Sequence, residues 1–83
     1  MTSNPDLDFI KHAIDLARNG AVQNEGGPFG AVVVKEGKII GKGNNKVVST
    51  NDPTAHAEIL AIREACNHLN SFQLTGCTIY ASC

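Results

Sequence analysis

Phe29-Gly30-Ala31-Val32-Val33-Val34-Lys35-Glu36-Gly37-Lys38-Ile39-Ile40-Gly41-Lys42-Gly43 decides the fold of this chain. Phe29 to Lys35 is rich in β-branched residues and reads as a strand. Glu36-Gly37 is a two-residue turn of the kind that closes a hairpin, and Lys38 to Gly43 is the returning strand. Ala31 to Val34 is apolar at every position instead of alternating. That pattern predicts a central strand covered on both faces, in a sheet flanked by helices. Gly41 and Gly43 mark either a bulge or a close approach of ligand to backbone.

Upstream, Asn4-Pro5-Asp6 reads as a helix start: a capping side chain, a ring suited to the first turn, and a carboxylate that complements the helix dipole. Leu7, Ile10, Ala13, Ile14 and Ala17 then recur at three- and four-residue spacing, with Asp8, Lys11, Asp15 and Arg18 on the opposite face. Gly20 offers a stop, and Ala21-Val22 an extension. Gln23 to Pro28 is a polar, glycine-rich break.

Downstream, Asn44 to Asn51 is polar and reads as a loop. Asp52-Pro53 repeats the helix-start logic of the first helix. Ile59, Ile62, Ala65, Cys66 and Leu69 form the expected buried stripe, with Arg63, Glu64 and Asn67 outward. Asn70-Ser71 ends the helix, and Gly76 to Cys83 reads as a further strand. Strand, helix, strand in this order predicts a parallel pair with a right-handed crossover. The whole is an α/β layer with a mixed sheet, in one domain over residues 1–83.

Composition limits the function classes. The chain has 83 residues, 42% hydrophobic and 18% charged, which is ordinary for a globular protein. A chain of this length buries only somewhat more than ~60% of its unfolded surface, so its stability is marginal. The formal net charge is −1, and no basic patch points to a large nucleic-acid footprint. No apolar run exceeds the length of Ala31 to Val34, far short of a membrane span. Met1 to Asp6 lacks the basic start and apolar stretch of a signal peptide, so a cytoplasmic setting is expected. Three cysteines do not make a disulfide framework.

The chemistry-bearing stretch is Asn51-Asp52-Pro53-Thr54-Ala55-His56-Ala57-Glu58. Residues two apart on a regular helix point to nearly opposite sides. His56 and Glu58 therefore converge only on a ligand seated over the helix N-terminus, where free N–H groups point outward. In an open α/β sheet that place lies beside the carboxyl end of a strand, here the one ending at Cys83. A neutral His56 imidazole suits zinc, and Glu58 suits proton transfer to and from a water. The plainer reading is a solvated helix start with no metal, and the residues alone leave it open. His12 and His68 lack ligand-type neighbours and read as structural. Cys66 and Cys77 read as core, whereas Cys83, at the strand end nearest the expected site, is a candidate ligand. Phe29 is either core or a platform on which a base stacks.

Three ordered segments, Gly26-Gly27-Pro28-Phe29-Gly30-Ala31-Val32-Val33-Val34, Gly43-Asn44-Asn45 and Asn51 to Ile59, resemble the cytidine and deoxycytidylate deaminase superfamily. Within it they are most similar to the bacterial guanine deaminases. The resemblance covers nearly all of the chain. It implies a cytidine-deaminase-like three-layer fold with a mixed sheet, and Zn2+ as cofactor. It matches His56 to the zinc-binding histidine and Glu58 to the proton shuttle. Asn45 matches a residue that hydrogen-bonds the base, Phe29 an aromatic packed on the purine, and Ala57 backbone beside the substrate. The implied reaction is hydrolytic deamination of a nucleobase, guanine to xanthine with release of ammonia, within purine metabolism. The alternatives are a cytosine or tRNA-adenosine deaminase. The implied partner is a small-molecule nucleobase, with no membrane and no nucleic acid.

The chain departs from the family after the third strand. Family members continue Ser-Cys-Glu-Pro-Cys-x-x-Cys, of which Ser82-Cys83 matches only the opening. The two ligand cysteines fall at the third and sixth positions beyond the last residue. The expectation is a truncated domain whose activity alone is a separate question. Its open sheet edge favours association, as a homo-oligomer such as a dimer. A non-catalytic fragment acting through self-association is the competing reading.

Overall fold

A computed structural model describes residues 5–82. The expected cap at Asn4 and the strand end at Cys83 lie outside the described residues. The order of elements is α1 (Pro5–Val22), β1 (Gly30–Lys35), β2 (Lys38–Asn44), α2 (Val47–Thr50), α3 (Ala57–Leu69) and β3 (Cys77–Ser82). The first helix takes the longer of its two expected ends, running through Gly20 to Val22.

β1 is central, as its uninterrupted apolar run predicts: the sheet order is β2-β1-β3. Glu36 and Gly37 both have positive φ, 52° and 77°, the backbone that a tight two-residue hairpin turn requires. The register shifts between Val33 and Val34, which pair with Gly41 and Ile39, so a bulge does form in this hairpin, at Ile40 of the returning strand.

The expected parallel pair is corrected. β3 pairs antiparallel with β1, as β2 does, so every hydrogen-bonded pair among the described strands is antiparallel. β2 and β3 still run in the same direction, but β1 lies between them. The connection through α3 therefore passes over the central strand and docks β3 on its far side. β1 is the more apolar partner, and pairing there leaves both β2 and β3 as edges.

Helices cover the two faces at points where glycine meets alanine. On one face, a Cβ at Gly30 would lie 2.0 Å from the Ala13 carbonyl oxygen and 2.8 Å from the Ala17 nitrogen. On the other, a Cβ at Gly41 would lie 2.3 Å from the Ala61 oxygen, and one at Gly43 would lie 2.6 Å from the Ala57 oxygen. The closeness of Gly41 and Gly43 thus serves helix α3, not a ligand. This also corrects the expected stripe on α3. Its fully buried residues are Ala57, Ala61 and Ala65, one every turn. Ile62 and Leu69 pack only at the margin of that cluster. Bulky side chains cannot enter a seam this tight. On α1 the buried set is Ala13, Ala17 and Gly20, while Leu7, expected inside, is 57% exposed.

Two further boundaries differ. The segment expected to be a loop contains the four-residue helix α2, closed by Asn51 in the left-handed conformation. α3 begins at Ala57 and not near Pro53, because Asp52 folds onto its own neighbours. Its Oδ1 accepts from the Thr54 N–H at 2.9 Å and the Thr54 hydroxyl at 2.7 Å. Such a side-chain turn competes with helix.

β3 is anchored from the α1 side. The Tyr80 ring lies 5.3 Å from that of Phe9, and its phenol donates to Asp6. That hydrogen bond raises the Tyr80 pKa above the ordinary phenol value. On the α3 side Ile79 is left 45% exposed. It borders a cavity of about 120 Å³ shared with Val33, Ile62, Leu74 and Cys77. No helix among the described residues is long and apolar enough to cross a membrane.

Candidate active site

The site is assembled by backbone hydrogen bonds between loops that the sequence leaves unconnected. The Asn45 N–H donates to the Phe29 carbonyl at 3.1 Å, and the Lys46 N–H to the Ala55 carbonyl at 2.9 Å. These two bonds place the Gly26–Phe29 loop, Asn45 and the start of α3 at one corner of the sheet. Ala57 is buried against Gly43 on β2, which fixes the first turn of α3 over the end of that strand.

His56 is the N-cap of α3, with extended backbone (φ −74°, ψ 152°) and no side-chain capping bond. Its carbonyl accepts from the Leu60 N–H at 3.0 Å, so its main chain starts the helix while its imidazole stands exposed. Glu58 is in the first turn and is also exposed. A carboxylate there is favoured by the helix dipole. The helix-end arrangement that the His-x-Glu spacing requires is therefore present, although the helix starts later than expected.

Among the described residues Asn45 is the one buried polar residue, 8% exposed. Its Oδ1 accepts from the Val47 N–H at 3.0 Å. A backbone N–H can only donate, so this bond assigns the oxygen to Val47 and leaves the side-chain NH2 for other acceptors. The Phe29 ring is 40% exposed beside Gly27, a surface position and not the core alternative. His12 and His68 are exposed on their helices. His68 lies in the last turn of α3, about 18 Å from His56 at 1.5 Å per residue. Cys66 and Cys77 are free and partly buried. Cys83 lies outside the described residues.

Three residues expected in loops, Glu25, Asn44 and Lys46, brace this corner. Glu25 Oε1 accepts from Asn44 Nδ2 at 3.1 Å, and Glu25 Oε2 is 3.9 Å from Lys46 Nζ. No spacing rule points to a glutamate nineteen positions before its partner. The clue was the adjacent polar pair Asn44-Asn45, which directly follows a strand. A larger cavity, about 380 Å³, runs along the β2 edge between Leu16, Lys42, Lys46, Leu60 and Glu64. Asn44 also lines it, whereas His56, Glu58, Asn45 and Phe29 do not, so it adjoins this corner through the bracing residues Asn44 and Lys46.

Residues 3–83 match the family model described as the cytidine and deoxycytidylate deaminase zinc-binding region. The chain belongs to this family. It is 55% identical over 75 residues to a guanine deaminase of Bacillus subtilis, an alignment covering 90% of this chain and 48% of that protein. The crystal structure of the B. subtilis guanine deaminase superposes with a TM-score of 0.89, over 92% of this chain and 48% of that one. A tRNA-specific adenosine deaminase of Aquifex aeolicus is 49% identical, over 89% of this chain and 48% of that protein. A solved structure in complex with 2,6-diaminopurine is 30% identical, with a TM-score of 0.87, over 99% of this chain and 46% of that one. The chain spans about half the length of the curated relatives it matches.

The family is described by its zinc-binding region, and the donor set can be tested against that metal. Among the described residues no three His, Cys, Asp or Glu side chains gather into a group that could hold a metal. Catalytic zinc takes about three protein ligands and a water. The described residues thus fit one ligand position, at His56, and do not fit a whole zinc site.

Proposed function

We propose that these residues belong to a zinc-dependent hydrolytic deaminase of a free nucleobase, converting guanine and water to xanthine and ammonia. What supports this reading most is that backbone hydrogen bonds join Asn45 to Phe29 and Lys46 to Ala55, just before the His56–Glu58 helix start. This arrangement joins a base-sized flat surface, a hydrogen-bond donor and a proton-transfer carboxylate. The 55% identity to a guanine deaminase supports guanine over the adenosine of tRNA.

Each group has a role that its position allows. The Phe29 ring offers a face for the base to stack on. The Asn45 NH2 donates to an acceptor of the base, a ring nitrogen or carbonyl, and the buried Ala57 leaves the backbone open beside it. Glu58 accepts a proton from the attacking water and delivers it towards the departing amine. The carbon–nitrogen bond breaks, ammonia leaves, and oxygen takes its place with no change of redox state. His56 is offered as one zinc ligand, and the others would have to come from outside the described residues. A cytoplasmic, self-associating protein is part of the same reading, from its near-neutral charge and the uncovered Ile79 face.

The test is ammonia release from guanine, cytosine and an adenosine-containing tRNA anticodon stem-loop, each offered separately to the zinc-supplied protein. Release from guanine with xanthine as product supports the proposal. Release from the tRNA or cytosine alone overturns the choice of base.

A further inference from the structure

We propose that Glu25 is a positioning residue that holds Asn45 in its base-facing geometry. The proposal rests on the deaminase reading above for its consequence in catalysis, but its structural half stands independently.

Glu25 contacts the residues on both sides of Asn45. Its Oε1 accepts from Asn44 Nδ2 at 3.1 Å, and that same amide group lies 3.3 Å from the Asn45 carbonyl, to which it also donates. One NH2 thus links the carboxylate to the Asn45 main chain. Oε2 reaches towards Lys46 Nζ at 3.9 Å, on the opposite side. That ion pair is partly solvated and contributes little alone, so the Asn44 bond is the main link. The Glu25 main chain is held at both ends. Its N–H donates to the Gly20 carbonyl at 2.9 Å, and its carbonyl accepts from the Ser49 N–H at 3.1 Å. Glu25 therefore ties the end of α1 to α2, the short helix whose first residue, Val47, donates its N–H to Asn45.

The next residue presses on Asn45 directly. A Cβ at Gly26 would lie 2.2 Å from Asn45 Oδ1 and 2.7 Å from its carbonyl oxygen. The Asn45 side chain occupies the space a larger residue at position 26 would fill. It is confined by Gly26 on one side and by the Val47 N–H on the other. A small drift of the Glu25–Gly26 segment would let Asn45 Oδ1 leave Val47. The amide could then rotate and present an acceptor to the base in place of its donors. Polar groups that must be held to within a fraction of an ångström depend on such supporting bonds.

The test combines a structural and a kinetic readout on Glu25→Ala, Glu25→Gln and Asn45→Ala. Amide hydrogen exchange at Val47 reports the Asn45 Oδ1 bond directly. We expect Glu25→Ala to lower Val47 protection about tenfold, the equivalent of one ordinary hydrogen bond, while protection in β1 stays unchanged. Glu25→Gln keeps an acceptor for Asn44 and should restore most of it. In turnover of guanine, Glu25→Ala should raise KM about tenfold with a smaller effect on kcat. It should have no further effect on KM in an Asn45→Ala background, because it acts through that residue. Unchanged Val47 protection in Glu25→Ala overturns the proposal, whatever the activity. Additive effects of the Glu25 and Asn45 substitutions on KM overturn it as well. A protein that leaves guanine unchanged refutes the functional reading instead, and Val47 exchange still decides the role of Glu25.

Discussion

His56 and Glu58 occupy the N-cap and the second position of one helix, α3, with the buried Ala57 between them. Inside a helix two such side chains would point apart. At its first turn they flank the free N–H groups, where a hydroxide or developing oxyanion is favoured. The tight Gly43–Ala57 contact beneath sets where that turn sits on the sheet.

That contact can be tested by filling it. Gly41→Ala or Gly43→Ala places a methyl within 2.3 or 2.6 Å of an α3 carbonyl oxygen. The helix must then shift or tilt. Each substitution is expected to destabilise the fold by about 1–3 kcal/mol, the usual range for overpacking, as read from chemical denaturation.

Asp52 makes the start of α3 sensitive to acid. Its carboxylate accepts from the Thr54 hydroxyl and the Thr54 N–H, which lowers its pKa below the ordinary 3.8. A lowered folded pKa adds stability that is present above the unfolded value and is lost as pH falls through the folded one. Thermal melts of the wild type should therefore lose stability below about pH 4 more steeply than those of Asp52→Asn. Parallel profiles for the two proteins would contradict this.

Asn45→Asp separates the two duties of the amide. The variant keeps an oxygen for the Val47 N–H but replaces the outward NH2 with an acceptor. The α2 turn should remain, seen as retained Val47 protection, while base binding weakens by at least about tenfold, as expected when one buried donor is lost. A titration with 2,6-diaminopurine followed by NMR gives the comparison.

His56→Ala tests the metal assignment apart from turnover. The wild-type protein, supplied with zinc and then dialysed, should retain more metal per chain than the variant. Equal zinc in both would remove His56 from the ligand set. The exposed imidazole carries no cap bond, so its loss should shift the melting temperature little.

Much of this arrangement was legible in the sequence. The apolar run Ala31 to Val34 placed β1 at the centre because only a strand covered on both faces tolerates such a run. Glu36-Gly37 marked the hairpin through the positive φ that the turn demands. The side on which β3 docks was not legible, since a strand–helix–strand order does not say whether β3 joins the free edge of β2 or that of β1. Of the Ala57-Ala61-Ala65 seam only Ala65 stood in the expected stripe, because hydrophobicity points to Ile and Leu, whereas the glycines of β2 admit only alanine. Asp52 read as a helix cap because a capping carboxylate and a turn-forming one look alike until their partner is known. For the candidate site, the His-x-Glu spacing called for a helix start, and His56 and Glu58 do lie at the start of α3. The bracing of Asn45 by Glu25 is a tertiary contact with no sequence pattern.

The most direct test of the account is the initial rate of ammonia release from guanine by the zinc-supplied protein, measured side by side with its Glu58→Gln variant. The account predicts release by the wild type and a loss of about 10²–10⁴-fold in the variant, with the fold and zinc content of both preserved. Equal rates in the two proteins would contradict a proton-transfer role for Glu58 and the reading built on it.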